Sequence, residues 1–377
     1  MALWLSNDGP HLRGANVHPC TLHELAGARV RCVRRLKLPD LRDLRKLGAN
    51  LVNASYFGVF TERPPYKVNP RALKYLDDLI RSAEKAGLYV VIHFRTGPGR
   101  NNNAIGASDT NQDPNALFTV WDDAAAQKAW AKMWRFTAQR YGKSPVVIGY
   151  NLIVEPHVNT LVDPRGTLTP AELQSRVKGT LRDWNAFSAS MVAAIREVDT
   201  ETPIIIDALQ WARAEWLEAL EPGIDRRIVY SFHAYDPMEF SHQNDLKNLT
   251  IRYPGIARVD GKRTVLDKKL LEKIYRPAVE FAARHSVPIY VGEMGSVRWA
   301  PGAVAFHRDL IHFIERNGWN YAFYVWRGDW VNYDGANLEH GRDPDNHRRV
   351  DNPLLGAYVD HWRHNKEFPP HSSGASN

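Results

Sequence analysis

Eight short apolar runs recur along the 377 residues, each bounded by turn-forming residues and each followed by a stretch with helical spacing of its apolar positions. The runs are 12–17, 49–56, 88–94, 146–155, 203–209, 227–235, 287–293 and 320–326. Strands that are apolar without alternation are covered on both faces, as parallel strands joined through helices are. Helical stretches fall at 39–48, 70–86, 124–141, 170–198, 268–285, 303–317 and 354–364, with a short one from Arg213. In 70–86, Leu73, Leu76, Leu79, Ile80 and Ala83 share a face, Pro70 suits the first turn and Gly87 the stop. Eight such units with right-handed crossovers predict a closed (β/α)8 barrel, the TIM-barrel form of an α/β fold. An open doubly wound sheet would use fewer strands and would carry a glycine-rich phosphate turn after the first.

No repeat, and no linker rich in Pro, Gly or Ser, divides the chain. Residues 1–365 are expected to form one catalytic barrel and 366–377, ending HSSGASN, a disordered polar tail. The segments after the third, fourth, sixth and eighth runs are long, whereas the returns from helix to strand are short. In barrels the strand-to-helix loops build the site at the C-terminal mouth, so long ones there predict a cleft for an extended ligand.

Two of the runs end in a glutamate, Glu155 in NLIVEPH and Glu293 in IYVGEMGS. An ionised carboxylate deep in the core would be costly, so both are expected at the rim of the sheet. The same rim gathers Asn53 from the second run, His93 and Arg95 from the third and His157 from the fourth. It takes His233 and Tyr235 from the sixth and Trp326, Arg327 and Asp329 from the eighth. A lone strand-end glutamate is most often half of an ion pair. Two on one rim, ringed by imidazole, phenol, guanidinium and indole, suit cleavage of a glycosidic bond. One carboxyl protonates the leaving oxygen, and the other attacks the anomeric carbon or orients water. Trp326 would offer a flat apolar face to a sugar ring, and Trp211 and Trp299, with Trp121 and Trp330, are candidate subsite platforms.

Other classes fit poorly. Hydrophobic residues make up 44% and charged residues 24%, as in soluble globular proteins. The net charge of +7 is not gathered into a recognition motif: the longest basic cluster, Arg29 to Lys37, is broken by Val30, Cys32, Val33 and Leu36. No nucleic-acid partner is expected. No apolar run reaches 18 residues, so no membrane partner is expected either. MALWLSNDGP does not resemble a signal peptide, and a cytoplasmic chain and a secreted one whose leader is absent both agree with it. The sequon Asn248–Thr250 matters only on a secretory route. Cys20 and Cys32 are too few for a disulfide scaffold or a zinc site and are expected to be reduced. At the first strand's end His18 stands without a close histidine partner; no metal and no cofactor are expected. GKS at 142–144 has Thr137 where a phosphate loop needs glycine, and no G-x-S-x-G elbow occurs. A monomer or small homo-oligomer acting on an oligo- or polysaccharide is expected.

The order of these pieces resembles glycoside hydrolase family 5, of the clan of retaining barrel glycosidases. The resemblance rests on IGYNLIVEPH (148–157), SFHAYDP (231–237), VGEMGS (291–296) and FYVWRGDW (323–330), and it covers about residues 10–365. It implies a double displacement with Glu155 as acid/base and Glu293 as nucleophile. Tyr235 and His233 would stand beside the nucleophile, and Trp326 would be the sugar platform. Three positions depart from the family pattern: Val154 replaces the asparagine before the acid/base, Asn53 replaces an arginine, and Arg95 stands where a histidine is expected, leaving His93 two residues earlier. The expected function is a retaining glycoside hydrolase cleaving β-linked glycosides of the β-1,4-glucan or mannan type, endo- or exo-acting. The alternative, suggested by Val154 and Asn53, is a carbohydrate-binding barrel with little or no turnover. Double displacement requires the Glu155 and Glu293 oxygens to lie roughly 5 to 6 Å apart on one mouth of the sheet.

Overall fold

The computed structural model describes residues 1–5, 9–18, 20–23, 31–102, 104, 116–243, 249–327 and 334–370, with backbone only at 20–23, 31–35, 159, 160 and 334. The expected strands are present as β1 (Arg13–Val17), β2 (Leu51–Tyr56), β3 (Tyr89–Phe94), β4 (Val147–Asn151), β5 (Ile204–Asp207), β6 (Ile228–Ala234), β7 (Ile289–Met294) and β8 (Asn320–Phe323). All pair in parallel in chain order, and β8 returns to β1 through Arg13–Tyr321, Gly14–Ala322 and Ala15–Phe323. The chain is a closed (β/α)8 barrel. A side chain on Gly14 would collide with the Leu51 carbonyl, so the β1–β2 pairing needs a glycine there.

The helices are α1 (Leu38–Lys46), α2 (Pro70–Ala86), α3 (Ala124–Tyr141), α4 (Pro170–Val177), α5 (Trp184–Arg196), α6 (Lys268–His285), α7 (Ala303–Arg316) and α8 (Pro353–Trp362). In α2 the Asn69 side chain accepts from the N–H groups of Arg71 and Ala72, and Gly87 ends the helix at φ 71°. The stretch expected as one helix over 170–198 is two. Gly179 at φ 75° breaks it, and the Asp183 side chain caps a fresh start. Between β5 and β6 the helix expected from Arg213 is only a four-residue turn, Leu209–Ala212, and a 3-10 segment, Ala214–Ala219. Antiparallel hairpins are inserted after β1 (Cys20–His23 with Arg31–Arg35) and after β6 (Gly255–Val259 with Lys262–Leu266). The first carries the Cys20 and Cys32 backbones, whose side chains lie outside the described residues, as do Asn248, Asp329 and Trp330.

The main core lies between strands and helices, where Leu76, Leu79, Trp134 and Tyr150 are buried. A smaller cluster fills the barrel at the strand starts, with Leu51, Tyr89, Val91, Ile205, Val229 and Tyr290 around Trp4. Trp4 meets Tyr290 edge-on at 5.3 Å and donates its indole N–H to the Ile148 carbonyl at 3.0 Å. That end is therefore plugged, and the open mouth is the one at the strand ends. Beyond α8, Asn50 still donates to the Glu367 carbonyl at 2.8 Å and Arg45 stacks over Phe368, while 371–377 lie outside the described residues. Among the described residues no helix is long and apolar enough to cross a membrane.

Candidate active site

Glu293 reaches the mouth through a bulge. The pairing of β7 with β6 slips between Val291 and Glu293, so Gly292 is the extra residue. Its carbonyl accepts from Asn16 Nδ2 at 2.8 Å and Asn53 Nδ2 at 3.1 Å. A side chain at 292 would press on His233 Nε2 at 3.1 Å and Ser231 Oγ at 2.9 Å. So turned, Glu293 accepts the Tyr235 hydroxyl on Oε2 at 2.8 Å, and its Oε1 lies 3.5 Å from the Arg95 guanidinium.

Glu155 stands beyond β4, which ends at Asn151 rather than at the glutamate as the apolar run suggests. Its φ is +51°, a left-handed conformation that is strained for a residue with a side chain. The peptide is gripped on both sides. Its N–H donates to Asp207 Oδ2 at 3.2 Å, and its carbonyl accepts from the Arg100 guanidinium at 3.1 Å and His157 Nδ1 at 2.9 Å. Its side chain takes a hydrogen bond from His233 Nδ1 at 2.8 Å, and the same nitrogen is 3.7 Å from Glu293 Oε2. Carboxylate oxygens of Glu155 and Glu293 and a His233 ring nitrogen all lie within 4.8 Å of one another.

These groups titrate as one unit. Burial pushes the Glu293 carboxyl up to about 7, and the Glu155 charge adds to this against His233, Arg95 and the Tyr235 hydroxyl. Burial also acts to raise Glu155, but the His233 hydrogen bond and the charges of His233 and Arg95 outweigh it and hold that carboxyl below its usual range. Burial would strip His233 of its proton, yet Glu293, Glu155 and Asp207 around it push the imidazole up to about 9. Near neutral pH the imidazole is therefore protonated and Glu155 ionised, while Glu293 passes between its two forms.

Asp207, the last residue of β5, is wholly buried under this group. Its Oδ1 accepts from Asn151 Nδ2 at 2.8 Å, and its Oδ2 is 3.3 Å from His93 Nε2 and 3.7 Å from His233 Nε2. Burial opposes its ionisation, but the two imidazoles and the Asn151 amide hold it well below the usual carboxylate range. Sequence reasoning passed over Asp207, although a carboxylate closing an apolar run is the signal that marked Glu155 and Glu293.

Several expected ligand contacts lie behind the site instead. Asn53 is buried, donating to the Gly292 carbonyl and to Asn16 Oδ1 at 2.8 Å. His93 is buried on Asp207. His157 is buried between Phe118 and Trp211, with ring centroids 4.7 and 4.6 Å away. Arg95 does reach the site, donating to Ser55 Oγ at 2.9 Å beside its contact with Glu293. Trp211 is half-buried as the outer ring of the Phe118–His157–Trp211 stack. Trp299, also half-buried, donates its indole N–H to the Gln243 carbonyl at 2.9 Å. Val154 is buried and its backbone N–H donates to the Phe94 carbonyl at 2.9 Å.

Trp326 is a correction. It is 0% exposed, donates its indole N–H to the Asp40 carbonyl at 3.1 Å and lies under the Arg327 guanidinium at 4.8 Å. β8 stops at Phe323, so strand alternation no longer aims residue 326, and the ring packs on α1. Tyr324 instead is near the mouth, its ring meeting His18 at 5.5 Å and Tyr235 at 6.4 Å, with its hydroxyl 3.0 Å from His18 Nε2.

Among the described residues two triads bring ligating atoms close enough for an ion, His93–Asp207–His233 and Glu155–His233–Glu293. His233 belongs to both, and an ion in either would have to displace the proton that the carboxylates around it favour.

A family model described as cellulase (glycosyl hydrolase family 5) matches residues 37–329. Endoglucanase C of Acetivibrio thermocellus is 27% identical over 278 residues, 66% of this chain and 72% of that protein. Cellodextrinase A of Ruminococcus flavefaciens is 23% identical over 222 residues, 59% of this chain and 57% of that protein. The solved structure of endoglucanase Cel5A from Thermotoga maritima superposes with a TM-score of 0.65 at 21% identity, covering 92% of this chain and 96% of that one. With the family model spanning the barrel from α1 to β8, the chain belongs to glycosyl hydrolase family 5 and is a glycoside hydrolase.

Proposed function

We propose that the chain cleaves β-1,4-linked glucans by a retaining double displacement, with Glu293 as nucleophile and Glu155 as acid/base. One observation carries the mechanism: the two carboxylates lie within 4.8 Å on one mouth. Retaining enzymes hold this pair about 5 Å apart, whereas inverting ones leave about 6.5 Å or more for a water. Glu293 attacks the anomeric carbon as Glu155 protonates the departing oxygen. Glu155 then takes a proton from water, which displaces the sugar from Glu293.

The donors around Glu293 fit a nucleophile, whereas His233 favours the ionised form of Glu155, so the acid proton has to reach Glu155 through that imidazole. The Tyr235 hydroxyl and the Arg95 guanidinium favour an anionic Glu293 and fix its orientation. His233, 2.8 Å from Glu155 Oε1, can pass its proton to that carboxyl and take it back. Tyr324, edge-on to Tyr235, is the ring we assign to the sugar at the reacting position, and Trp211 and Trp299, beyond β5 and β7, are candidate platforms for further sugars. A binding barrel without turnover is not favoured, because both carboxylates and their partners are assembled. The glucan reading draws on relatives that include endoglucanases and a cellodextrinase.

The test is product analysis on cello-oligosaccharides and manno-oligosaccharides, with the anomeric form recorded by proton NMR before mutarotation. The β-anomer from cello-oligosaccharides is expected. Initial α-anomer would overturn the mechanism, and cleavage of manno-oligosaccharides alone would overturn the substrate.

A further inference from the structure

Asp207 is joined to more of the barrel than any role in filling space requires. From the end of β5 it bonds Asn151 at the end of β4, accepts the Glu155 N–H and faces His93 on β3 and His233 on β6. A buried carboxylate is costly unless its partners repay the lost hydration, and an amide or aliphatic residue would occupy this volume without that cost.

The partners lead to Glu155 by two routes. The direct route is the backbone hydrogen bond at 3.2 Å, which together with Arg100 and His157 on the carbonyl side holds the left-handed peptide in place. The indirect route runs through the imidazole, with His233 Nε2 toward Asp207 and Nδ1 on Glu155 Oε1 at 2.8 Å. A carboxylate on the far side of an imidazolium balances its charge and steers where the ring points.

We propose that Asp207 is a positioning residue for the proton-transfer half of the reaction, placing the Glu155 peptide directly and the His233–Glu155 hydrogen bond through the ring. It rests on the reading of Glu155 as acid/base. Asp207 touches no substrate; it decides whether the acid stands where the leaving oxygen needs it.

The test compares kcat/KM of Asp207→Asn on two aryl β-cellobiosides, one with a dinitrophenyl leaving group that departs without protonation and one with phenyl, which needs it. General acid assistance is worth about 10² to 10⁴ in rate. The variant is expected to lose about 100-fold or more on the phenyl substrate and only a few-fold on the dinitrophenyl one. Equal losses on both mean that Asp207 is merely structural and overturn the proposal. Glu155→Gln is run alongside. If it shows no leaving-group split while still hydrolysing the activated substrate, the acid/base reading itself fails, whatever Asp207 does. Should Asp207→Asn not fold, Asn151→Ala keeps the carboxylate but frees its Oδ1. A smaller split in the same sense is then expected, and equal losses again overturn the proposal.

Discussion

The Tyr235 hydroxyl donates to Glu293 Oε2 at 2.8 Å, two residues after His233 on β6, so neighbouring side chains of one strand end hydrogen-bond one carboxylate each. Tyr235→Phe removes a donor from the nucleophile while keeping the ring. Losing one such preorganised donor costs about 10² to 10³ in kcat. We expect a loss of that order, with thermal stability within about 0.5 kcal/mol of the parent. An unchanged kcat on cello-oligosaccharides would show that Glu293 does not depend on the phenol.

The pH profile follows from the same pair. A nucleophile must be ionised, and burial together with the Glu155 charge lifts Glu293 to about 7. Activity from this group is present above that value and lost as pH falls through it. The acid limb of kcat/KM is therefore expected near 7, well above the range of a free carboxylate. On the alkaline side His233, raised to about 9, loses the proton it shares with Glu155, and activity declines as pH rises through that value. An acid limb at the value of an ordinary glutamate would contradict this electrostatic account.

At the opposite end of the barrel Arg13 grips Glu315 with two hydrogen bonds, at 2.6 and 2.7 Å. Burial works against the Glu315 charge, but Arg13 and His361 hold the carboxyl down at about 2. A depressed carboxylate gives stability that is complete above its unfolded value and is lost as pH falls toward the folded one. Glu315→Gln strands the Arg13 charge and is expected to cost about 3 to 5 kcal/mol, with KM unchanged. Denaturant unfolding at pH 7 and pH 3 checks both points: the gap between parent and variant should narrow at the lower pH.

Much of this was legible in the chain. The eight apolar runs located every strand of the barrel, because a strand buried on both faces has no polar alternation to confuse it, whereas the hairpins after β1 and β6 carry no such run. Glu155 and Glu293 stood out as charges ending such runs. What escaped is where the chain leaves the sheet. Glu155 lies four residues past β4 in a left-handed turn, and Trp326 three past β8, so strand periodicity no longer aimed either side chain. Asn53, His93 and His157 are polar and near the rim, yet each is consumed by a neighbour: a bulged carbonyl, Asp207, and two flanking rings. Residue type alone does not tell a ligand contact from the shell that holds one.

Trp326 and Tyr324 separate these roles experimentally. Trp326→Ala opens a void against α1 and is expected to cost about 3 to 5 kcal/mol of stability, with KM for cello-oligosaccharides unchanged in whatever folds. Tyr324→Ala is expected to raise KM and lower kcat, because it removes the ring assigned to the reacting subsite. Isothermal titration of cello-oligosaccharides into catalytically slowed versions of each checks the assignment. Loss of binding in the Trp326 variant alone would return that ring to the cleft.

The central claim is that Glu293 bonds to the sugar while Glu155 manages the proton. A 2-fluoro aryl β-cellobioside, whose sugar leaves the enzyme slowly, followed by proteolysis and mass spectrometry, tests it most directly. The account predicts one added fluorocellobiosyl group, carried on the peptide that contains Glu293 and absent from the Glu293→Gln variant. A label on any other residue, or none while the parent turns over ordinary substrate, would contradict it.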